Sequence, residues 1–323
     1  NYAFNYTLDI DVELPQNVKT IGDYAFDYCS SLTEIVIPES VTSINCYAFA
    51  DCSGLKSIIV DGDNPKYDSR DNCNAIIETA TNTLIVGCIN TIIPNSVIKI
   101  GTDAFYGCEG LKNIEIPNSV TTIEHGAFRV CTGLTNIEMP NNLTTIEDYA
   151  FLWCYSLTTI EIPNSVTKIG TDAFSGCEGL KSVTIDCKNV GSWFSDSSIK
   201  EVILGNSVTT IENSAFSDCS RLTAVHISDL SAWCNIDFGD SNSFASSSAN
   251  PLSYAQNLYL NGNLITELVI PNDITEIKKY AFNGCSCLTN VTIPNNVAKI
   301  GKSAFYGCSS LKSVTIPNSI TTI

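Results

Sequence analysis

The sequence predicts an α/β solenoid. It reads as one domain over residues 1–323, built from about 12 stacked coils with short parallel strands on one side and helical or 3₁₀ turns on the others. Three observations predict it. Residues recur at a fixed interval: Pro117, Pro140 and Pro163 stand 23 apart, as do Phe105, Phe128, Phe151 and Phe174, and Cys108, Cys131, Cys154 and Cys177. Aliphatics such as Ile114 and Ile116 alternate with polar residues, the period of a half-buried strand. Gly101, Ala104, Phe105, Cys108 and Leu111 fall on the spacing of a helix face.

The unit can be written Leu-x-x-Ile-x-Ile-Pro-x-x-Val-x-x-Ile-Gly-x-x-Ala-Phe-x-x-Cys-x-x. Pro117 lacks an N–H and stops the first strand. Val120 and Ile123 flank a Thr-rich step that gives a second short extended segment. The Ala-Phe piece is too short for a stable isolated helix, so a single turn with Ala and Phe inward is expected. Stacked coils place equivalent strands parallel and about 4.8 Å apart.

Tyr2-Ala3-Phe4, Tyr24-Ala25-Phe26 and Tyr47-Ala48-Phe49 open the series, with Thr7 at the cysteine position of the irregular first coil. Three stretches break the rhythm. Near 61–93, strands around Ile76-Ile77 and Leu84-Ile85 read as an inserted hairpin. Centring its turn on Ala80-Thr81 pairs Ile77 with Leu84, Ile76 with Ile85, and Cys73 with Cys88, which makes those two thiols candidates for a disulfide. Near 186–205 a shortened coil carries Trp193-Phe194 in place of Ala-Phe. Near 228–270 an irregular coil includes a Ser/Asn-rich segment, Asp240 to Pro251, that reads as an exposed loop. The chain starts and stops in nearly complementary phases of the repeat, so head-to-tail stacking into a filament is the alternative expectation to a binding role.

Nine of the fifteen cysteines, Cys29 to Cys308, occupy one repeat position. A residue recurring three places after a core phenylalanine is most simply a small buried hydrophobe, which predicts a ladder of free thiols. The remainder include Cys46, Cys73, Cys88, Cys187, Cys234 and Cys287. No Cys-x-x-Cys pair and only two histidines argue against a structural zinc site. The formal net charge of −17 argues against nucleic acid or anionic lipid as a partner. No apolar run approaches the length of a membrane helix. Asp61, Asp63, Asn64, Asp68 and Asp71 form an oxygen-rich cluster, but the twelfth position from Asp61 is Asn72 rather than the bidentate Glu of an EF-hand. Calcium is a minor expectation there, local turn capping the main one. No cofactor is expected.

These residues resemble the BspA-like, or Treponema pallidum-type, leucine-rich repeats, with units of the form LxxIxIPxSVTxIGxxAFxxCxx. The match is close from Leu111 to Leu180 and from Leu288 to Leu311. The resemblance implies a right-handed leucine-rich repeat solenoid with its parallel sheet on the concave face. It also implies a secreted or cell-surface protein, in some members an adhesin for host matrix proteins or for other cells. No catalytic residues come with it.

The strand face left open is the usual binding surface of such solenoids. The outward position between paired aliphatics holds Val36, Ile59, Glu115, Glu138, Glu161, Thr184, His226 and Thr292, among others, and these are the candidate binding residues. Glu115, Glu138 and Glu161 would stand on adjacent strands, where like charges destabilise a sheet and a basic ligand would offset the cost. Catalysis is not expected, because His125 and His226 belong to distant coils and no nucleophile–base pair is suggested by register.

Overall fold

The structure, a computed structural model, describes residues 2–6, 12–45, 47–194, 197–217, 219–240 and 249–323. Thr7, Cys46 and positions 241–248 of the Ser/Asn-rich segment lie outside the described residues. The chain divides into two compact units, Asn1–Ile160 with Lys168–Gly179, and Glu161–Thr167 with Leu180–Ile323.

In the first unit, strands one repeat apart pair in parallel. Glu34–Ile37 lies on Ser57–Val60, and Asn113–Ile114 on Asn136–Ile137. A second row runs through Lys99–Ile100, Thr122–Ile123, Thr145–Ile146 and Lys168–Ile169, each in register with the residue 23 along. Threonine supports these rows in a way the alternation pattern does not announce. Thr121, Thr144, Thr135 and Thr158 each donate their hydroxyl to a carbonyl one coil back. A β-branched donor at these steps therefore repeats the backbone ladder with its side chain.

The Ala-Phe segments are single turns, as expected, and none of them extends into a helix. The described helices are Leu230–Cys234, Leu252–Ala255 and the short 3₁₀ segment Arg70–Asn72, all in the irregular stretches. The reason is two left-handed residues per coil, four apart, such as Asp103 (φ 51°) with Gly107 (φ 68°), and Tyr149 (φ 59°) with Trp153 (φ 62°). Each left-handed residue prevents propagation of a right-handed helix. Alternate N–H groups then leave the coil. Cys108 donates within it to Phe105, 3.1 Å, while Phe105 donates to Ala127 of the next coil, 2.8 Å. The phenylalanines point inward as expected, and Phe105, Phe128, Phe151 and Phe174 stack with centroids 5.0–5.2 Å apart.

The cysteine position is a donor as well as a filler. Cys131, Cys154 and Cys177 direct their thiols to the carbonyls of Phe105, Phe128 and Phe151 at 3.1–3.2 Å. Burial pushes these thiols upward, Cys177 to about 12, so they stay protonated and able to donate.

The 61–93 stretch is a three-stranded antiparallel meander, Tyr67–Asp68, Ile76–Glu78 and Thr83–Val86. Ile77 faces Leu84 as expected. A bulge between Ile76 and Ile77 then moves Ile76 opposite Val86 instead of Ile85. Cys73 and Cys88 are accordingly separate buried free thiols, bonded to the carbonyls of Ala75 and Asn74. The meander is also more than an insertion. Thr83–Val86 pairs in parallel with Lys99–Ile100, so its last strand begins the second row. In the oxygen-rich cluster, Asp61 accepts the Asp63 N–H, Asn64 accepts those of Lys66 and Tyr67, and Asp68 takes the Arg70 guanidinium.

On the turn side of this unit, tyrosines stack along the coils: Tyr2 on Tyr24 on Tyr47, and Tyr6 on Tyr28. Among them Asp27 is only 6% exposed and accepts the Asn5 amide at 3.2 Å. Burial, with the Asp51 charge nearby, raises its carboxyl to about 6. Burial also raises Asp51 and Asp103. Arg129 lies between the rings of Tyr106 and Trp153, 5.2 and 5.4 Å from their centroids.

The second unit has its own rows. Ser182–Ile185, Glu201–Leu204, Ala224–Ile227 and Leu258–Leu260 run parallel, and the antiparallel strand Asn263–Leu264 follows. Glu267–Val269, Asn290–Thr292 and Ser313–Thr315 form another parallel set. Trp193 and Phe194 are buried, as their place in the repeat requires. The end of the expected exposed loop is not exposed: Ala249, Asn250 and Pro251 are buried. Asn250 explains this, because its amide donates to the Tyr280 and Ala281 carbonyls and its oxygen accepts the Leu252 N–H. Asp229 caps the helix Leu230–Cys234 and delivers Trp233, whose indole N–H reaches the Ala281 carbonyl at 3.1 Å.

Candidate interaction surface

Strand alternation decides which side chains face out. In Glu34–Ile37 the burial alternates exposed, buried, exposed, buried, and Val36 stands outward at 44% exposure opposite Ile59 at 45%. Paired, uncharged residues hold that position, and the strands stay paired through it.

Two coils further on in the same unit, Glu115 and Glu138 occupy the equivalent position. Both are exposed, and pairing ends at Ile114 and Ile137, one residue before them. Like charges opposite each other destabilise a paired step, which accounts for the shorter ladder. Pro117 and Pro140 come two residues after the glutamates and offer no N–H to resume it. The result is a groove of about 710 Å³ on this face, lined by Glu115 and Glu138, by Asn113, Asn136, Asn118 and Asn141, and by the apolar sides of Ile116 and Met139. Asn118 accepts the Asn141 N–H at 3.0 Å and its carbonyl takes the Asn142 amide at 2.9 Å, fixing the rim. Among the described residues neither glutamate has an ion-pair partner; the ion pairs of this unit are Lys66–Glu78, Arg70–Asp68 and Lys99–Glu124. The groove thus offers two unpaired carboxylates, amide donors and acceptors, and a narrow apolar floor.

The other candidate residues fall elsewhere. Glu161 is exposed on strand Thr159–Ile162. In the second unit Thr184, Ile203, His226 and Tyr259 stand side by side in register. The His226 and Tyr259 rings stack at 4.8 Å. Thr292 is exposed between Val269, 63% exposed, and Thr315. Sequence reasoning does not single out Tyr259 or the asparagine rim. Tyr259 is the outward member of Leu258-Tyr259-Leu260, so alternation alone is enough to find it. The repeated Pro-Asn dipeptide is visible in the sequence but signals only a turn. His125 packs edge-on against Tyr149 in the first unit, whereas His226 belongs to the second.

Among the described residues no helix is long and apolar enough to cross a membrane. A family model described as a BspA type leucine rich repeat region, in six copies, matches residues 1–76, 87–193, 145–261 and 253–323. No curated protein sequence matches the chain. Among solved structures, the pneumococcal vaccine antigen PcpA is similar over 66% of this chain and 55% of its own, with 22% identity and a TM-score of 0.56. The chain therefore spans about half the length of that antigen, and the likeness is one of fold. A leucine-rich repeat protein from Bacteroides ovatus ATCC 8483 is 27% identical, covering 94% of this chain and 83% of its own at a TM-score of 0.47. A leucine rich cell surface protein from Faecalibacterium prausnitzii A2-165 is 25% identical, covering 93% and 86% at a TM-score of 0.39.

Proposed function

The chain belongs to the BspA-type leucine-rich repeat family, and from that premise we propose that it is a non-enzymatic protein-interaction module. It works outside the cell or at the cell surface and binds through the open strand face of its coils. The contact that selects its partner is the Glu115–Glu138 groove, and the partner presents basic side chains there. One observation carries this reading: two exposed carboxylates share a groove without cations of their own. An incoming Lys or Arg would supply the missing charge through hydrogen bonds of the charge-assisted kind. Asn113, Asn136 and the rim asparagines would hold the partner's backbone, and Ile116 and Met139 the stem of a long side chain. Family membership supports the surface location.

The reading is tested by capture. Immobilised protein is exposed to matrix proteins and to cell-surface extracts, and retained proteins are compared between the native chain and a Glu115→Lys/Glu138→Lys variant. Retention of a partner by the native chain and its loss from the variant supports the groove. Equal retention by both moves the binding surface elsewhere on the chain.

A further inference from the structure

The thiol ladder has one place where its chemistry changes. In Cys285-Ser286-Cys287-Leu288 a second cysteine stands where other units carry Gly, Ser or Arg, as in Cys131-Thr132-Gly133-Leu134 and Cys308-Ser309-Ser310-Leu311. The Cys285 and Cys287 sulfurs lie 3.7 Å apart. Cys287 is half-exposed, while every other described free cysteine is buried. In the regular coils the thiol is occupied by the phenylalanine carbonyl 26 residues back, as Cys308 is by Phe282 at 3.2 Å. Cys285 follows the irregular coil, where position 259 is the outward Tyr259 and the neighbouring Leu258 backbone bonds the Cys285 thiol instead, while the Cys287 thiol donates to the Ile265 carbonyl at 3.2 Å.

We infer that Cys285 and Cys287 form a redox-active dithiol, which a small external disulfide oxidises to a Cys285–Cys287 disulfide. A disulfide needs its sulfurs at about 2.05 Å, so the pair has less than 2 Å to close within one turn, between the half-exposed Cys287 and the buried Cys285. The half-exposed Cys287 is the attacking group. Its thiolate displaces one thiolate from the external disulfide and forms a mixed disulfide. Cys285, after losing its proton, attacks the Cys287 sulfur and releases the second thiolate, which takes up a proton. Two protein thiols and one external disulfide thus become one protein disulfide and two external thiols. Burial and the neighbouring Cys287 raise the Cys285 thiol. The second step is therefore the slow one, and the mixed disulfide accumulates before it resolves.

The pair is isolated for measurement, because trypsin cleavage after Lys279 and Lys299 releases a peptide containing both cysteines and no other. The native protein is treated with oxidised glutathione, quenched with acid and read by peptide mass spectrometry over time. The expected course is a transient glutathione adduct on this peptide, followed by its replacement with a form lacking two hydrogens. Cys285→Ala should stop at a stable adduct on Cys287, and Cys287→Ser should show neither product. Cys287→Ser reproduces the residue found at this position in other units, so it tests reactivity with the fold retained. A stable adduct in the native protein, or oxidation that leaves this peptide unchanged while others react, overturns the inference.

Discussion

Asp27→Asn should stabilise the first unit at neutral pH, and the gain should vanish in acid. Asp27 is nearly enclosed, next to Asp51, with the Asn5 amide as its side-chain donor. Its carboxyl titrates at about 6 against an ordinary 3.8, through burial first and the Asp51 charge second. A folded-state value above the unfolded one means that the native state holds the proton where the unfolded chain has lost it. The stabilising contribution is complete below about 3.8 and is lost as pH rises through about 6. A shift of about two units corresponds to about 3 kcal/mol, an upper bound because the neutral amide also replaces a hydrogen-bonded carboxylate. Asparagine imitates the protonated acid at every pH. Urea unfolding followed by tyrosine fluorescence, at several values between pH 4 and 7.5, gives the difference between variant and native chain. The expected difference is near zero at pH 4 and rises to about 1–3 kcal/mol in favour of the variant by pH 7. A variant less stable than the native chain at pH 7, or a difference that does not change with pH, refutes the account of Asp27 as a buried, charge-strained acid.

Other consequences follow from the interior. Cys154→Ala removes a thiol bonded to the Phe128 carbonyl and leaves a small void, which should cost about 1–2 kcal/mol in thermal unfolding; no loss would reduce the ladder to filling space. Ladder thiols such as Cys131 and Cys154, kept protonated by burial, should resist iodoacetamide in mildly alkaline buffer until the protein unfolds, and rapid labelling of either would contradict their placement. Asn250→Ala strips the amide donor from the Tyr280 and Ala281 carbonyls and should cost about 1–3 kcal/mol, with hydrogen exchange accelerating at Leu252, whose N–H loses its acceptor.

Much of this fold is legible in the sequence because a repeat displays each position many times. Ala104, Phe105, Cys108 and Leu111 declare themselves as core by recurrence, and so does the parallel pairing 23 residues apart. Recurrence cannot reveal the backbone sign of Asp103 or Tyr149. Neither is glycine, and both adopt a left-handed conformation because the stacked coils supply hydrogen bonds to the turns they create. A helical spacing is therefore present without a helix. The bulge at Ile76 shifts one step of the meander and leaves Thr83 and Leu84 in register with Lys99 and Ile100, and no local pattern marks it. Asn250 has the composition of a loop; only the location of Tyr280 shows why it is buried. At the candidate surface, outward positions such as Val36 and Glu138 follow from alternation. The groove does not, since it depends on strand pairing ending one residue early.

The two glutamates of that groove are held here to confer selectivity for a basic partner. The most direct test is a titration with an extended Lys/Arg-rich peptide, comparing the native chain with Glu115→Lys/Glu138→Lys and with Glu34→Lys/Glu267→Lys. The second pair makes the same change in net charge on strand residues that are exposed and do not line the groove. Removal of two charge-assisted hydrogen bonds predicts at least about a tenfold weakening for the groove variant, with near-native affinity for the control. Equal weakening of both, or an unaffected groove variant, would contradict that selectivity.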